Sequence, residues 1–188
     1  MNTWDFWARL YRLVRKPWPL SVIMKNERQQ LQHLISQLDQ RIDIVIDLGC
    51  GTGDSAGMLA NACSIGVDKS GEMLKRAKSR YDFVIKADAS LLPLRSLSNS
   101  LITAVGLSEY IGRIELFFKN SAFLIPRGSY LLITSSPRNF YTILRFVLGV
   151  AIYPREARRI ILIAQGKGFC LISQKSFFSQ DAFLFKRT

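Results

Sequence analysis

"VIDLGCGTGDS", residues 45–55, places glycine at 49, 51 and 53 directly behind an apolar run that contains Asp47 and ends at Leu48. Such a run, followed by a glycine-rich turn, reads as a buried strand feeding a turn. Asp54 or Ser55 is placed to cap a helix over 54–61. Glycine accepts positive φ and lets a ligand approach bare main chain where any Cβ would collide. In open α/β sheets ligands lie in the crevice beyond the carboxyl ends of the strands, so a nucleotide-like ligand is expected here. The spacing is G-x-G-x-G rather than the dinucleotide G-x-G-x-x-G, and Asp47 and Asp54 flank it. Two carboxylates repel a phosphate but suit a ligand with a positive end. Further on, "GVDKS" ends in a segment where Asp68 is placed to accept from both hydroxyls of a ribose. "KADASLLPL" carries Asp88, suited to accept from an exocyclic adenine amine.

Outward from this stretch, β-rich runs alternate with helical ones. Strands are expected at 44–48, 64–68, 82–87, 101–107, 129–135, 169–173 and 181–186. Helices are expected at 21–39, 54–61, 71–80, 112–124 and 155–166, preceded by an amphipathic helix at 4–16. The alternation predicts an α/β fold, a doubly wound, Rossmann-like sheet of seven strands with helices on both faces. The link at 174–180 is too short for a crossover helix, so the last strand pairs antiparallel and the rest of the sheet is mostly parallel. One domain over 1–188 is expected, with 1–40 as a helical arm or lid and 42–188 as the ligand-binding core.

The totals narrow the classes. With 48% apolar residues in 188, the chain can bury a full core. No apolar run reaches the roughly 18 to 20 residues of a membrane span, and no signal-peptide pattern opens the chain. Cys50, Cys63 and Cys170 are odd in number and widely spaced. They read as reduced core thiols of a cytoplasmic protein, with no metal site. His33, the single histidine, lies among glutamines on the 21–39 helix and reads as a surface residue. The net charge of +12 suits an anionic partner, or else a basic solvated surface with no special partner. From residue 127 onward there are ten Lys or Arg against two acids, Glu156 and Asp181.

The motifs in this order resemble the class I S-adenosylmethionine-dependent methyltransferases over residues 42–188. "VIDLGCGTG" is similar to the family's glycine motif, "GVDKSGEMLKRAK" to its ribose-binding segment and "ADASLLPL" to its adenine-binding segment. "FLIPRGSYLLI" resembles the turn before the fifth strand, departing at Arg127 where the family often has glycine. The resemblance implies S-adenosyl-L-methionine as cofactor. It implies that Gly49, Gly51 and Gly53, with Cys50, border the methionine portion, and that Asp47 helps hold its ammonium. It also implies that Asp68 and Lys69 lie at the ribose, Met73 near the adenine face, Asp88 and the Ala89 amide at the adenine edge, and Leu107 beside the cofactor. Helix capping, loop hydration or core packing are the structural alternatives for these acids and for Met73.

Methyl transfer from a sulfonium needs chiefly alignment and a dry site, and a base only where the acceptor must lose a proton. By the resemblance, "GLSEYIGR" faces the acceptor, making Ser108 and Glu109 the candidate polar groups and Tyr110 a wall. A helix cap is the alternative for Ser108 and Glu109. The Asn- or Asp-Pro-Pro-aromatic run of enzymes acting on nucleobase amines does not occur. The 4–16 helix has aromatics on one face and arginines on the other, and an apolar run at 143–153 is followed by Arg155, Arg158 and Arg159. That composition resembles small membrane-associated methyltransferases of quinones and phospholipids, which implies a hydrophobic or lipid-like acceptor, of phospholipid-headgroup or quinone type, met peripherally at an anionic inner membrane surface; packing of both segments into the core of the fold is the alternative. An RNA methyltransferase and a non-catalytic cofactor-binding partner subunit are the alternatives.

Overall fold

A computed structural model of the chain describes residues 20–59, 61–92, 96–137, 153–177 and 180–188, with side chains from residue 25 onward in the first of these. The expected 4–16 helix and nearly all of the 143–153 run lie outside them.

The chain order is α1 (Leu20–Ile35), β1 (Ile44–Leu48), β2 (Cys63–Asp68), α2 (Gly71–Ala77), β3 (Phe83–Lys86) and β4 (Ser100–Ala104), then a single 3-10 turn at Ser108–Tyr110. It continues with α3 (Ile114–Leu124), β5 (Tyr130–Ser135), α4 (Ala157–Gln165), β6 (Phe169–Ser176) and β7 (Asp181–Arg187). All seven expected strands form, in one sheet of order β3-β2-β1-β4-β5-β7-β6. The five strands from β3 to β5 run parallel, and β7 lies antiparallel between β5 and β6. Strand order reverses on either side of β1, which sets the crevice at the carboxyl ends of β1 and β4.

Alternation along the central strands divides the core. Leu131 and Ile133 of β5 and Phe183 and Phe185 of β7 turn to one face, where α3 and α4 cover them with Phe117, Phe118, Ile160 and Ala164. The Phe118 ring meets Phe169 and Phe185 edge-on, each pair at 6.0 Å between centroids, a favoured geometry for aromatic pairs. Tyr130, Leu132, Ala182 and Leu184 turn to the other face under Leu31, Leu34 and Ile35 of α1. α2 packs Leu74 and Ala77 beside Tyr81, Val84 and Cys50. Its first turn is capped by Ser70, whose hydroxyl accepts from the Met73 amide at 3.2 Å.

Three expectations need correction. No helix forms over the described residues of 54–61. Residues 51–57 are consecutive turns, with Gly53 at φ +83° and Gly57 at φ +71°. Two left-handed residues four apart interrupt a helical hydrogen-bond ladder, and Ser55, one of the two expected caps, gives its hydroxyl to Asp47. Of the cysteines only Cys50 is buried; Cys63 and Cys170 are exposed and all three are free. Cys63 opens β2 and Cys170 lies on the edge strand β6, so neither reaches the core. The α1 helix stops at Ile35 rather than 39, and His33 is exposed on its surface, as expected.

Candidate functional site

The site is built from the carboxyl ends of β1, β2, β4 and β5. Past Leu48 the chain continues its pairing with β2, because the Gly49 and Cys50 amides both donate to the Val67 carbonyl, at 2.8 and 3.0 Å. Gly49 has φ +68°, and a Cβ there would lie 2.7 Å from Leu107 Cδ1, so only glycine lets the β1 turn pass against the segment after β4. Gly51 is different. It has φ +54° with nothing within 4 Å of a Cβ position, and Gly106 beyond β4 likewise has φ +65° and open space. These two glycines, on opposite sides of the strand-order reversal, present bare backbone to the crevice.

Asp68 ties the turn to β2. One carboxylate oxygen accepts from the Gly51 amide at 2.9 Å and the other from the Ser70 amide at 2.8 Å. Each oxygen keeps a lone pair for another donor, and the residue is half-buried. Asp88 is exposed at the end of the next strand. Its carboxylate closes an Asx turn on the Ser90 amide at 2.7 Å, which fixes the loop carrying Ala89. Lys69 is exposed beside Asp68, and Met73 is buried in the first turn of α2.

Asp47 sits inside the sheet, 2% exposed, instead of facing the crevice. Thr103 donates to one oxygen at 2.7 Å, and Ser55 and Tyr81 donate to the other at 2.5 Å each. Three hydroxyls engage the carboxylate, so in this arrangement it organises the turn and the β1–β4 pair. Burial pushes its pKa above the usual carboxylate value, and the three hydrogen bonds oppose that rise. The same burial, with Asp47 nearby, pushes the Tyr81 phenol and the Cys50 thiol well up, so both keep their protons. Cys50 is thereby an inert packing residue whose sulfur fits against Gly66, where a Cβ would come within 3.1 Å of it.

On the acceptor side, Ser108, Glu109 and Tyr110 form the 3-10 turn after β4, held as a unit from β5 and from the start of α4. Ser108 is fully buried and its hydroxyl donates to the Thr134 carbonyl at 2.6 Å. The Ser108 proton, expected at the acceptor side, is thus engaged by the backbone of β5, and the residue does not cap a helix. Glu109 is buried and accepts from the Ser136 hydroxyl just past the end of β5. Tyr110 is half-buried beside it.

The residue missed in the sequence is Arg155. Expected to flank an apolar run at a membrane, it is 6% exposed. Its guanidinium donates to the carbonyls of Ser108 at 2.8 Å, Tyr153 at 3.0 Å, Gly112 at 3.3 Å and Ile111. The Arg155 amide donates to Ser136 and the Tyr153 amide to the Glu109 carbonyl, at 3.1 and 2.6 Å. One buried cation thus collects the carbonyls of the turn that carries Glu109, and burial lowers its pKa from the usual arginine value.

The residues present fit an S-adenosyl group, because the two open glycines and the half-buried Asp68 converge on one crevice. Gly49, Gly51, Gly53 and Gly106 would supply close backbone, Asp68 the ribose contact, and Asp88 with Ala89 the adenine contact.

The comparisons agree with this geometry. Residues 45–128 match the family described as "Methyltransferase domain". The malonyl-[acyl-carrier protein] O-methyltransferase of Marinomonas sp. (strain MWYL1) is 30% identical over 116 residues, covering 56% of this chain and 43% of that protein. The chain therefore spans less than half the length of that relative. Among solved structures, the magnesium protoporphyrin IX methyltransferase of Synechocystis PCC 6803 with bound SAH superposes with a TM-score of 0.76 at 17% identity, covering 100% of this chain and 96% of that one. A SAM-dependent methyltransferase from Archaeoglobus fulgidus superposes with a TM-score of 0.73 at 18% identity, covering 94% and 99%. Residues 45–128 thus match a methyltransferase-domain family, and the sheet completed around them has the class I, Rossmann-like fold of S-adenosylmethionine-dependent methyltransferases.

Proposed function

We propose that the chain is an S-adenosylmethionine-dependent methyltransferase whose acceptor is a hydrophobic or lipid-like small molecule, met at the cytoplasmic face of an anionic membrane. The observation that carries the cofactor half is the pair of open glycines facing the crevice beside Asp68. The acceptor half is supported by the net charge of +12 and by ten basic residues against two acids from residue 127 onward. No described helix is long and apolar enough to cross a membrane, so contact with the bilayer is peripheral in this reading. The acceptors in the relatives' names differ from one another, so the acceptor class is argued from this chain's own residues.

S-adenosylmethionine supplies an activated methyl group, which leaves the protein to align the acceptor and exclude water. Asp68 orients the nucleoside, and the glycine turn lets it lie against main chain. Glu109 is the group at the acceptor side that takes a proton where the acceptor is protic. Its carboxylate is steadied by Ser136, while Arg155 holds the turn beneath it. Tyr110 forms one wall.

Two measurements test this reading. Calorimetry with S-adenosylhomocysteine should give binding that Asp68→Ala weakens at least tenfold. Methyl label from S-adenosylmethionine, offered with a cell extract, should then enter the organic phase. Absence of binding heat, or label entering only RNA, would overturn it.

A further inference from the structure

The outer face of α3 and α4 is basic and, at the same time, carries exposed large apolar side chains. Buried positions account for Ile114, Phe117, Phe118, Ser121 and Leu124 of α3, and for Ile160 and Ala164 of α4. What remains outward on α3 includes Lys119 and Phe123, four residues apart and so on one stripe; Phe123 is 86% exposed. On α4 the corresponding pair is Arg158 and Leu162, the latter 58% exposed. The two stripes are neighbours, since Arg159 of α4 pairs with Glu115 of α3 at 3.6 Å. At the top of this face, where both helices begin, stand Arg113 and Tyr153, both exposed. Gly112, just before Arg113, is joined to Arg155 at 3.3 Å, so this rim adjoins the turn that carries Glu109. Among the described residues nothing covers the face, and Arg113, Lys119 and Arg158 have no acidic partner.

Exposed Phe and Leu beside unpaired arginine and lysine is the composition of a surface that lies in a lipid interface, with cations meeting acidic headgroups and apolar side chains entering below them. We propose that the outer face of α3 and α4 is the docking surface of this protein on an anionic bilayer, with the site mouth at its upper rim. The assignment rests on the lipid-like acceptor proposed above and places the contact on helices that the sequence pattern alone did not single out. Docked this way, an acceptor leaving the bilayer meets Tyr153 and the Glu109 turn without crossing the protein.

Flotation of the full chain with vesicles of equal parts phosphatidylglycerol and phosphatidylcholine, against pure phosphatidylcholine, tests the surface. The wild type should float only with the anionic vesicles. The Arg113→Ala/Lys119→Ala/Arg158→Ala variant should lose about 100-fold in vesicle affinity, about fivefold for each cation removed from an acidic surface. Phe123→Ser/Leu162→Ser should lose roughly tenfold or more with charge intact. S-adenosylhomocysteine binding, measured on the same preparations, should stay within about twofold of wild type and so certify the fold. Equal flotation of the triple variant and wild type overturns the assignment, as does a wild type that binds neither vesicle while still binding S-adenosylhomocysteine. Loss of RNA retention in the triple variant with flotation unchanged overturns it in favour of nucleic acid. Failure of the wild type to bind S-adenosylhomocysteine refutes the methyltransferase reading instead, a separate result.

Discussion

Two alanine substitutions, two residues apart in the β1 turn, should fail in opposite ways. At Gly49 the backbone has φ +68°, which costs an L-residue about 1–2 kcal/mol relative to glycine. The new Cβ would also lie 2.7 Å from Leu107 Cδ1, well inside contact distance. Leu107 can swing, so the overlap costs roughly 1–3 kcal/mol rather than forbidding the fold. The expected loss for Gly49→Ala is about 2–5 kcal/mol of unfolding free energy by the sum of those two effects. At Gly51 the backbone term is similar, with φ +54°, but a Cβ meets nothing within 4 Å. Gly51→Ala should therefore cost only about 1–2 kcal/mol in stability. Its methyl group would stand in the open crevice, so S-adenosylhomocysteine affinity should fall at least tenfold. Urea denaturation measures the first quantity and calorimetry the second. Leu107→Ala in the Gly49→Ala background should recover the overlap part alone, a coupling of about 1 kcal/mol or more. Equal stability losses at the two positions, or a Gly51→Ala protein that binds S-adenosylhomocysteine like wild type, would refute the reasoning.

Arg155→Met removes the donor to four carbonyls while keeping much of the stem volume, and should cost about 3–5 kcal/mol by denaturation, with Arg155→Lys recovering part of it. Phe118→Ala empties the centre of the edge-on aromatic group and should cost about 3–5 kcal/mol in the same assay. Tyr81→Phe deletes one of three donors to the buried Asp47 and should cost about 1–3 kcal/mol, and the loss should be larger at pH 8 than at pH 4, where the carboxyl is protonated more readily. The Asp39 carboxylate is held below its ordinary value, first by hydrogen bonding from Lys186 and then from Tyr130. A depressed folded value means stability that is present above the unfolded carboxyl range, about 4, and is lost as pH falls through the folded value. Melting temperature should therefore drop less between pH 6 and pH 3 in Asp39→Asn than in wild type.

The strands and the glycine turn were legible in the residues because both rest on local rules. A continuous apolar run such as Ile44–Leu48 has few homes besides a buried strand, and glycines at 49, 51 and 53 announce positive φ. The helix expected at 54–61 failed where a local rule was overridden. Ser55 reads as a cap, but Asp47, eight residues earlier, takes its hydroxyl. Arg155 was misread for a different reason. Its partners are main-chain carbonyls of residues more than forty positions away, apart from Tyr153, and carbonyls leave no mark on a sequence. The bond from Ser108 to the Thr134 carbonyl was hidden in the same way. Arg158, three residues on in the same basic run, is exposed as expected, which shows that the run itself carried no signal separating the two.

The strand order has a kinetic consequence. β5 and β6 do not pair; β7 lies between them and hydrogen-bonds to both. During vectorial synthesis β1 to β5 can assemble as they emerge from the ribosome, but β6 has no neighbour to join until Asp181–Arg187 has left the exit tunnel. Until that moment the Leu131 and Ile133 side of the sheet lacks Phe183 and Phe185, and the nascent chain exposes an open, apolar strand edge. A chaperone that shields such edges has most to do in that interval, and a stalled chain ending before residue 181 should be held by it far longer than one in which residues 181–187 are free to pair.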